Sequence, residues 1–444
     1  MAVHLTEEQI IQLAPDASSV KAGKGLSTTT KWVLRQQSGR ALWGHCQGSG
    51  KTPYQTIIDL DNIAFKCSCP SRKFPCKHGL GLLLLAAAQP GVFSDAEEPE
   101  WVTAWLSKRQ ESAEKKEQKA KERQETPVDE AAQAKRLAAR HKKVLAGIED
   151  LQTFLQDILR NGLLGVSERV YTLFEGVARR MVDAQASGLA SRLMALEEID
   201  YYNDQWKYQL TDELSRIYLL CESYKNLENL PPEWQVEVKS RIGYPQSKEE
   251  VLATEGIKDV WIVLSKESRK QQNIPTEIYW LYGKHSGRFA TWLYFATPGS
   301  LPEQTLLIGS RYTGVACYYP GIGASRIQLK EWSACEEEFL PAFLPGLGEA
   351  MQAYRDSVAL NPFIEAVPVL VEGLQWCLQG TQWYLCDAHG KQVAVSLPEE
   401  ARIRVLSITG GRPFSGFLLA HTHHWQLVSV WYKSVHYFWE YETN

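Results

Sequence analysis

Between Thr30 and Cys69, apolar and polar residues alternate in four short runs: Thr30 to Gln36, Ala41 to Cys46, Tyr54 to Leu60 and Ile63 to Cys69. Ser38-Gly39, Gly48-Ser49-Gly50-Lys51 and Asp61-Asn62 separate them. A period of two places alternate side chains on opposite faces, so the runs predict an antiparallel meander joined by turns. Gly79 to Gln89 is apolar nearly all round and stops at Pro90-Gly91. A helix of that kind has no solvent face and must be buried against the meander.

The pattern then changes. Residues 107 to 125 are almost entirely Lys, Arg, Glu, Gln, Ala and Ser with no apolar stripe, which predicts a solvated linker, helical or disordered. After Pro127, Val144, Ile148, Leu151, Leu155 and Ile158 repeat at helical spacing, as do Val170, Leu173, Phe174, Val177 and Met181. Further helices are expected at Leu189 to Ile199 and Leu210 to Leu227, making a bundle. Pro231-Pro232 marks the next boundary. Beyond it, strands are expected at Val260 to Leu264, Arg288 to Thr297, Leu306 to Tyr312, Trp383 to Cys386, Ile403 to Ile408, Phe414 to Ala420, Trp425 to Tyr432 and Tyr437 to Tyr441, with a helical interval at Glu337 to Val358.

The expected architecture is α+β and multidomain. It comprises an N-terminal module on a small antiparallel sheet (1–95), a charged helical linker (96–127), a helical bundle (128–230) and a mainly-β region (231–444). A chain of 444 residues is long enough for several cores.

Composition adds three constraints. The nine cysteines are odd in number and clustered once, which does not predict a disulfide framework and suits a reducing, cytoplasmic setting. The longest apolar run, Leu82 to Ala88, is too short for a bilayer needing about 20 residues, and no export signal is read at the N-terminus. Residues 1–90 carry ten Lys/Arg against five Asp/Glu, while the remainder carries 38 against 47. Only the first segment has the charge to suit a polyanion.

The chemistry concentrates in that segment. Cys67-Ser68-Cys69 ends a predicted strand, where side chains two apart share a face, and six residues later Cys76-Lys77-His78 opens the helix. Three thiolates and one imidazole suit tetrahedral Zn²⁺, and with all four positions filled by protein no site remains for an activated water. The ion is expected to be structural. Cys67, Cys69, Cys76 and His78 are its ligands.

The string from Cys67 to His78, with the upstream Leu42-Trp43-Gly44 and Pro53-Tyr54 and the Leu-rich helix that follows, resembles the SWIM zinc finger, a ββα module of bacterial SWIM-containing proteins. The resemblance spans about residues 25 to 90 and implies zinc together with a role in binding DNA or protein. Bacterial members are often encoded beside MoxR-type AAA ATPases and von Willebrand A proteins, so it also implies a protein partner of that kind.

Lys66, Arg72, Lys73 and Lys77 surround the ligands and are the candidate phosphate contacts. They equally offset the net −1 charge of a Zn²⁺ with three thiolates and a neutral imidazole, so both readings stand. Phe74 either stacks on a base or closes the core over the metal. Gly48 to Thr52 ends like a P-loop, but His45 stands where the first glycine belongs and Pro53 leads into a strand, which predicts a hairpin loop. His421, His423 and His424 form a cluster that is read as structural, since no Cys, Asp or Glu neighbours it in sequence. Cys377 and Cys386 lie far from other ligand types, and Cys46, Cys221, Cys317 and Cys335 are expected to pack as small apolar groups. No hydrolase elbow, paired-His zinc helix or dinucleotide fingerprint occurs in its proper context. The function expected is that of a macromolecular adaptor binding protein and, as a second option, DNA. An enzyme with its site in the β-rich region is the alternative.

Overall fold

The computed structural model describes residues 5–48, 50, 52–61, 63–71, 73–111, 130–163, 165–271, 274–295, 306–380, 382–439 and 441–442. The N-terminal module contains α1 (Glu7–Ile11), α2 (Ala17–Lys24), β1 (Trp32–Gln37), β2 (Ala41–Cys46), β3 (Tyr54–Asp59), β4 (Ala64–Cys67), α3 (Lys77–Ala88), β5 (Ser94–Asp95) and α4 (100–111). The four expected strands form an antiparallel meander in the order β4-β3-β2-β1, and β5 adds in parallel to β1.

Strand alternation divides the sheet between two helices. Trp32, Leu42, Cys46, Ile58 and Phe65 pack under α3. Ala41, Trp43 and Ile57 face Val102, Leu106, Trp101 and Trp105 of α4. The module therefore extends past residue 95 into a segment that the sequence assigns to the linker, because α4 covers a face the meander would otherwise expose. Residues 112–127 of that linker lie outside the described residues. Close approach of α3 to the sheet depends on Gly44, where a Cβ would lie 2.8 Å from Leu34 O and 3.1 Å from Leu82 Cδ1.

The bundle comprises α5 (Glu130–Asn161), α6 (Val170–Asp183), α7 (Ser187–Ala195), α8 (Trp206–Lys225) and α9 (Pro232–Ile242). Val144, Ile148, Leu151, Leu155 and Ile158 of α5 meet Phe174, Val177 and Met181 of α6 in one core. Pro232 starts α9, whose Val238 and Ile242 enter that same core, so the chain remains in the bundle beyond the expected boundary. Proline is well placed at a first helical turn, where its missing N–H has no partner to lose.

After α10 (Lys248–Leu252) come β6 (Ile257–Gln271), β7 (Ile274–Gly283), β8 (Phe289–Phe295), β9 (Arg311–Tyr318) and β10 (Arg326–Cys335). They pair in the order β6-β7-β8-β10-β9, and β9 returns to β6, so the sheet closes on itself. The β8–β10 pairing is parallel and the others are antiparallel. Past α11 (Leu347–Leu360), the chain repeats this plan with β11 (Val367–Gln379), β12 (Gln382–Cys386), β13 (Gln392–Ser396), α12 (Glu399–Thr409), β14 (Phe414–Ala420) and β15 (Trp425–Tyr432). The order is β11-β12-β13-β15-β14, closed by β14 on β11, with β13–β15 parallel. Both are five-stranded Greek-key barrels with the strand order of the OB-fold. Two short strands, β16 (Val435–Phe438) and β17 (Tyr441–Glu442), add to β15 and β6. The barrels pack face to face, with Trp280 and Phe289 against Phe417.

Four expectations for this half are corrected. Ile403 to Ile408 lies in helix α12, whose Ala401, Val405 and Thr409 are the buried residues. Leu306 to Tyr312 is mostly a turn: Leu306 and Ile308 plug the first barrel, and the strand begins only at Arg311. The helix expected from Glu337 begins at Leu347, after Pro341 and Pro345. Cys377 of β11 and Cys386 of β12 form a disulfide, since adjacent strands bring them together.

Candidate metal centre

Strand β4 ends at Cys67, and its pairing places Thr56 of β3 directly opposite. Ser68 prolongs the pairing by donating its N–H to Gln55 O at 2.9 Å, so the backbone leading to Cys69 is held. The chain then loops through Phe74-Pro75, a cis peptide bond, and enters α3 with Cys76 as the residue before the first turn. His78 lies in that first turn and is 5% exposed, lying 4.9 Å centroid to centroid from Tyr54. Strand end and helix start thus face one another.

The ligand atoms of Cys67, Cys69, Cys76 and His78 all lie within 4.8 Å of one another. His78 Nδ1 is 3.6 Å from Cys67 Sγ and 4.0 Å from Cys76 Sγ. Metal–sulfur bonds of about 2.3 Å in a tetrahedron put neighbouring donors about 3.5–3.8 Å apart, so the His78–Cys67 separation matches that spacing and no other pair exceeds it by more than about 1 Å. The hydrogen bond between Cys67 and Cys76 raises the Cys67 thiol, with burial adding to the rise, and lowers that of Cys76 against an opposing effect of burial, with His78 and the Gly79 N–H adding to the fall. Burial raises Cys69, and the Ser71 N–H offsets part of that rise. Backbone amides aimed at sulfur favour thiolate. In chemistry and spacing, the four residues fit a zinc ion.

One contributor escapes the sequence reading. Thr56 is fully buried, and its hydroxyl lies 3.4 Å from Cys67 Sγ. Only the β3–β4 register reveals it.

The family model of the SWIM zinc finger matches residues 58–87. The chain carries a SWIM zinc finger. A second match, to the SWIM-associated four-helix bundle domain, spans residues 139–242 and coincides with the bundle through the end of α9. No curated protein matches the sequence.

The remaining candidates of this SWIM-containing chain scatter. Lys73 Nζ pairs with Asp16 Oδ2 at 2.7 Å and donates to Ser18 Oγ at 2.9 Å. That ion pair holds the Asp16 carboxyl well below its ordinary range. Lys66 and Lys77 are exposed, and Arg72 lies outside the described residues. Phe74 is 44% exposed while meeting Phe65 edge to face, so it covers the core only in part. The segment around Gly48 connects paired strands β2 and β3, the hairpin expected there. Cys46, Cys221 and Cys317 are buried, whereas Cys335 is half-buried. Among the described residues, no helix is long and apolar enough to cross a membrane.

His421, His423 and His424 do not share a sheet face. They occupy the turn between β14 and β15, closed by His421 N–H donating to His424 O at 2.9 Å. The rings of His421 and His424 stack at 4.6 Å. His423 instead reaches the bundle, where the fold supplies acids that local sequence does not.

Proposed function

We propose that Cys67, Cys69, Cys76 and His78 hold one structural Zn²⁺, and that the protein is a non-enzymatic adaptor that binds a macromolecule. The observation that carries this reading is the convergence of four protein donors within 4.8 Å of one another, enough to fill a tetrahedral coordination sphere and leave no position for a reacting water. Zinc would clamp the end of β4 to the start of α3. The free energy of metal binding, about 10 kcal/mol or more for small zinc modules, then becomes folding energy of the N-terminal module.

Protein is the favoured partner. Of the four basic residues near the ligands, Lys73 is neutralised by Asp16, and residues 91–444 carry more acids than bases. Both facts weaken a phosphate-binding surface. The family resemblance suggests a MoxR-type AAA ATPase and von Willebrand A system, and Greek-key barrels of the OB order serve elsewhere as binding modules. Free thiolates at the metal centre require reducing conditions, which supports a cytoplasmic location; the Cys377–Cys386 disulfide argues the other way. The competing enzyme reading gains a carboxylate–histidine group at His423, but that group lies where two domains pack together.

Titrating duplex DNA against the intact protein over a range of salt separates the partners. Steeply salt-dependent binding that Lys66→Ala or Lys77→Ala weakens would favour DNA. No binding at about 50 mM salt would remove it. A nuclease-resistant stoichiometric complex with an AAA ATPase would support the adaptor reading.

A further inference from the structure

Two consecutive acids on α8, Asp212 and Glu213, lie beside the β14–β15 turn, about 210 residues away in sequence. The turn is rigidly specified. His421 N–H closes it on His424 O, the His421 ring donates from Nδ1 to Glu365 O at 3.0 Å, and His421 stacks on His424. That leaves His423 to meet the bundle. Its ring stands edge-on to Tyr208 at 5.8 Å, and its Nε2 lies 3.4 Å from Asp212 Oδ2. The Nε2 atom is shielded from solvent and makes no hydrogen bond. A buried imidazole nitrogen facing carboxylates without a hydrogen bond points to a missing partner between them.

The ligand atoms of Asp212, Glu213 and His423 lie within 4.8 Å of one another. Arg216 Nε donates to Asp212 Oδ2 at 3.0 Å, while its Nη1 donates to Pro362 O at 2.9 Å. Arg216 therefore holds the carboxylate through Oδ2, the oxygen that His423 Nε2 also faces. Two anionic oxygens and one imidazole form a borderline donor set, suited to zinc or manganese.

We propose that Asp212, Glu213 and His423 form a second metal site, which binds a divalent transition-metal cation and ties the four-helix bundle to the second barrel. Three protein ligands leave coordination positions for water. The alternative occupant of the gap is a proton, giving a His423–Asp212 ion pair. This site does not depend on the Cys₃His centre, and its donor chemistry separates the two.

The test equilibrates the intact chain by dialysis against Zn²⁺ and counts metal per chain, in the wild type, in His423→Ala, in Asp212→Asn and in Cys67→Ser/Cys69→Ser. Two zinc ions are expected in the wild type and one in each variant. With Co²⁺ in place of zinc, the cysteine variant should show ligand-field bands without thiolate-to-cobalt charge transfer, and His423→Ala should keep the charge transfer. Loss of metal in both His423→Ala and Asp212→Asn supports the site even if one variant is unstable. Equal metal content in the wild type and the two site variants would overturn it, as would a cysteine variant that binds none. Failure of the Cys₃His reading would look different: the cysteine variant would hold as much metal as the wild type, and that metal would be lost on adding His423→Ala.

Discussion

The hydroxyl of Thr56 lies 3.4 Å from Cys67 Sγ, across the β3–β4 pair. A buried O–H aimed at a thiolate tunes the charge on the metal ligand and fixes its rotamer, and partners of this kind cost about 10- to 100-fold in affinity when removed. Thr56→Val keeps the volume and removes the donor. Zinc affinity, measured by chelator competition, should fall about tenfold or more, and Thr56→Ser should restore most of it. Equal affinities for Thr56→Val and wild type would mean that the contact is only packing.

Gly44 lets Leu82 of α3 approach the sheet. With a Cβ 2.8 Å from Leu34 O, a backbone atom that cannot move without disturbing β1, Gly44→Ala overpacks the module. The expected destabilisation is about 1–3 kcal/mol. Local unfolding followed by hydrogen exchange should show it in α3 and the β1–β2 hairpin while leaving the barrels unchanged.

Glu98 ties the β1–β2 turn to the segment before α4. Arg40 donates to its two oxygens at 3.0 and 2.8 Å, and that pairing, opposed by burial, holds its carboxyl below the ordinary range. A depressed folded-state value stabilises the fold above the unfolded value of about 4.3 and loses that contribution as pH falls through the folded value. Arg40 is about half exposed, so the contribution is at most about 1 kcal/mol. Wild type and Glu98→Gln should differ in urea midpoint near neutrality and converge in acid. A gap that widens in acid would contradict this assignment.

Glu237 joins the bundle to the barrels. It is 4% exposed, accepts from Asn361 Nδ2 at 2.8 Å and from Ile322 N–H at 3.2 Å, and pairs with Arg241. Removing one member of a buried charged group strands the others, at about 3–5 kcal/mol. Glu237→Ala should cost about 3 kcal/mol and expose the bundle–barrel junction to limited proteolysis. A loss below about 1 kcal/mol would show that water replaces the carboxylate.

What the sequence reveals follows from the range of the interactions involved. Strands β1 to β4 and the ligand cluster are legible because a period-two pattern, tight turns and a twelve-residue motif are local. Helix α12 is not, since Ile403, Val405 and Ile408 favour strand, and only packing onto the second barrel makes that segment helical. Strand β11 goes unread because Pro368 and Gly373 look like breaks. Gly373, at φ +70°, instead allows the bulge between Val371 and Leu374 where the strand passes from β14 to β12. Barrel closure, Thr56 beside Cys67 and Asp212 beside His423 all depend on pairings between distant segments. Those distances exist only once the chain has folded.

The account rests on a sulfur-rich ion at the junction of β4 and α3. X-ray absorption at the zinc edge of the intact His423→Ala protein, which removes the second proposed site, tests this most directly. The prediction is a first shell of three sulfurs at about 2.3 Å and one nitrogen at about 2.0–2.1 Å. A shell of oxygen and nitrogen alone would contradict it.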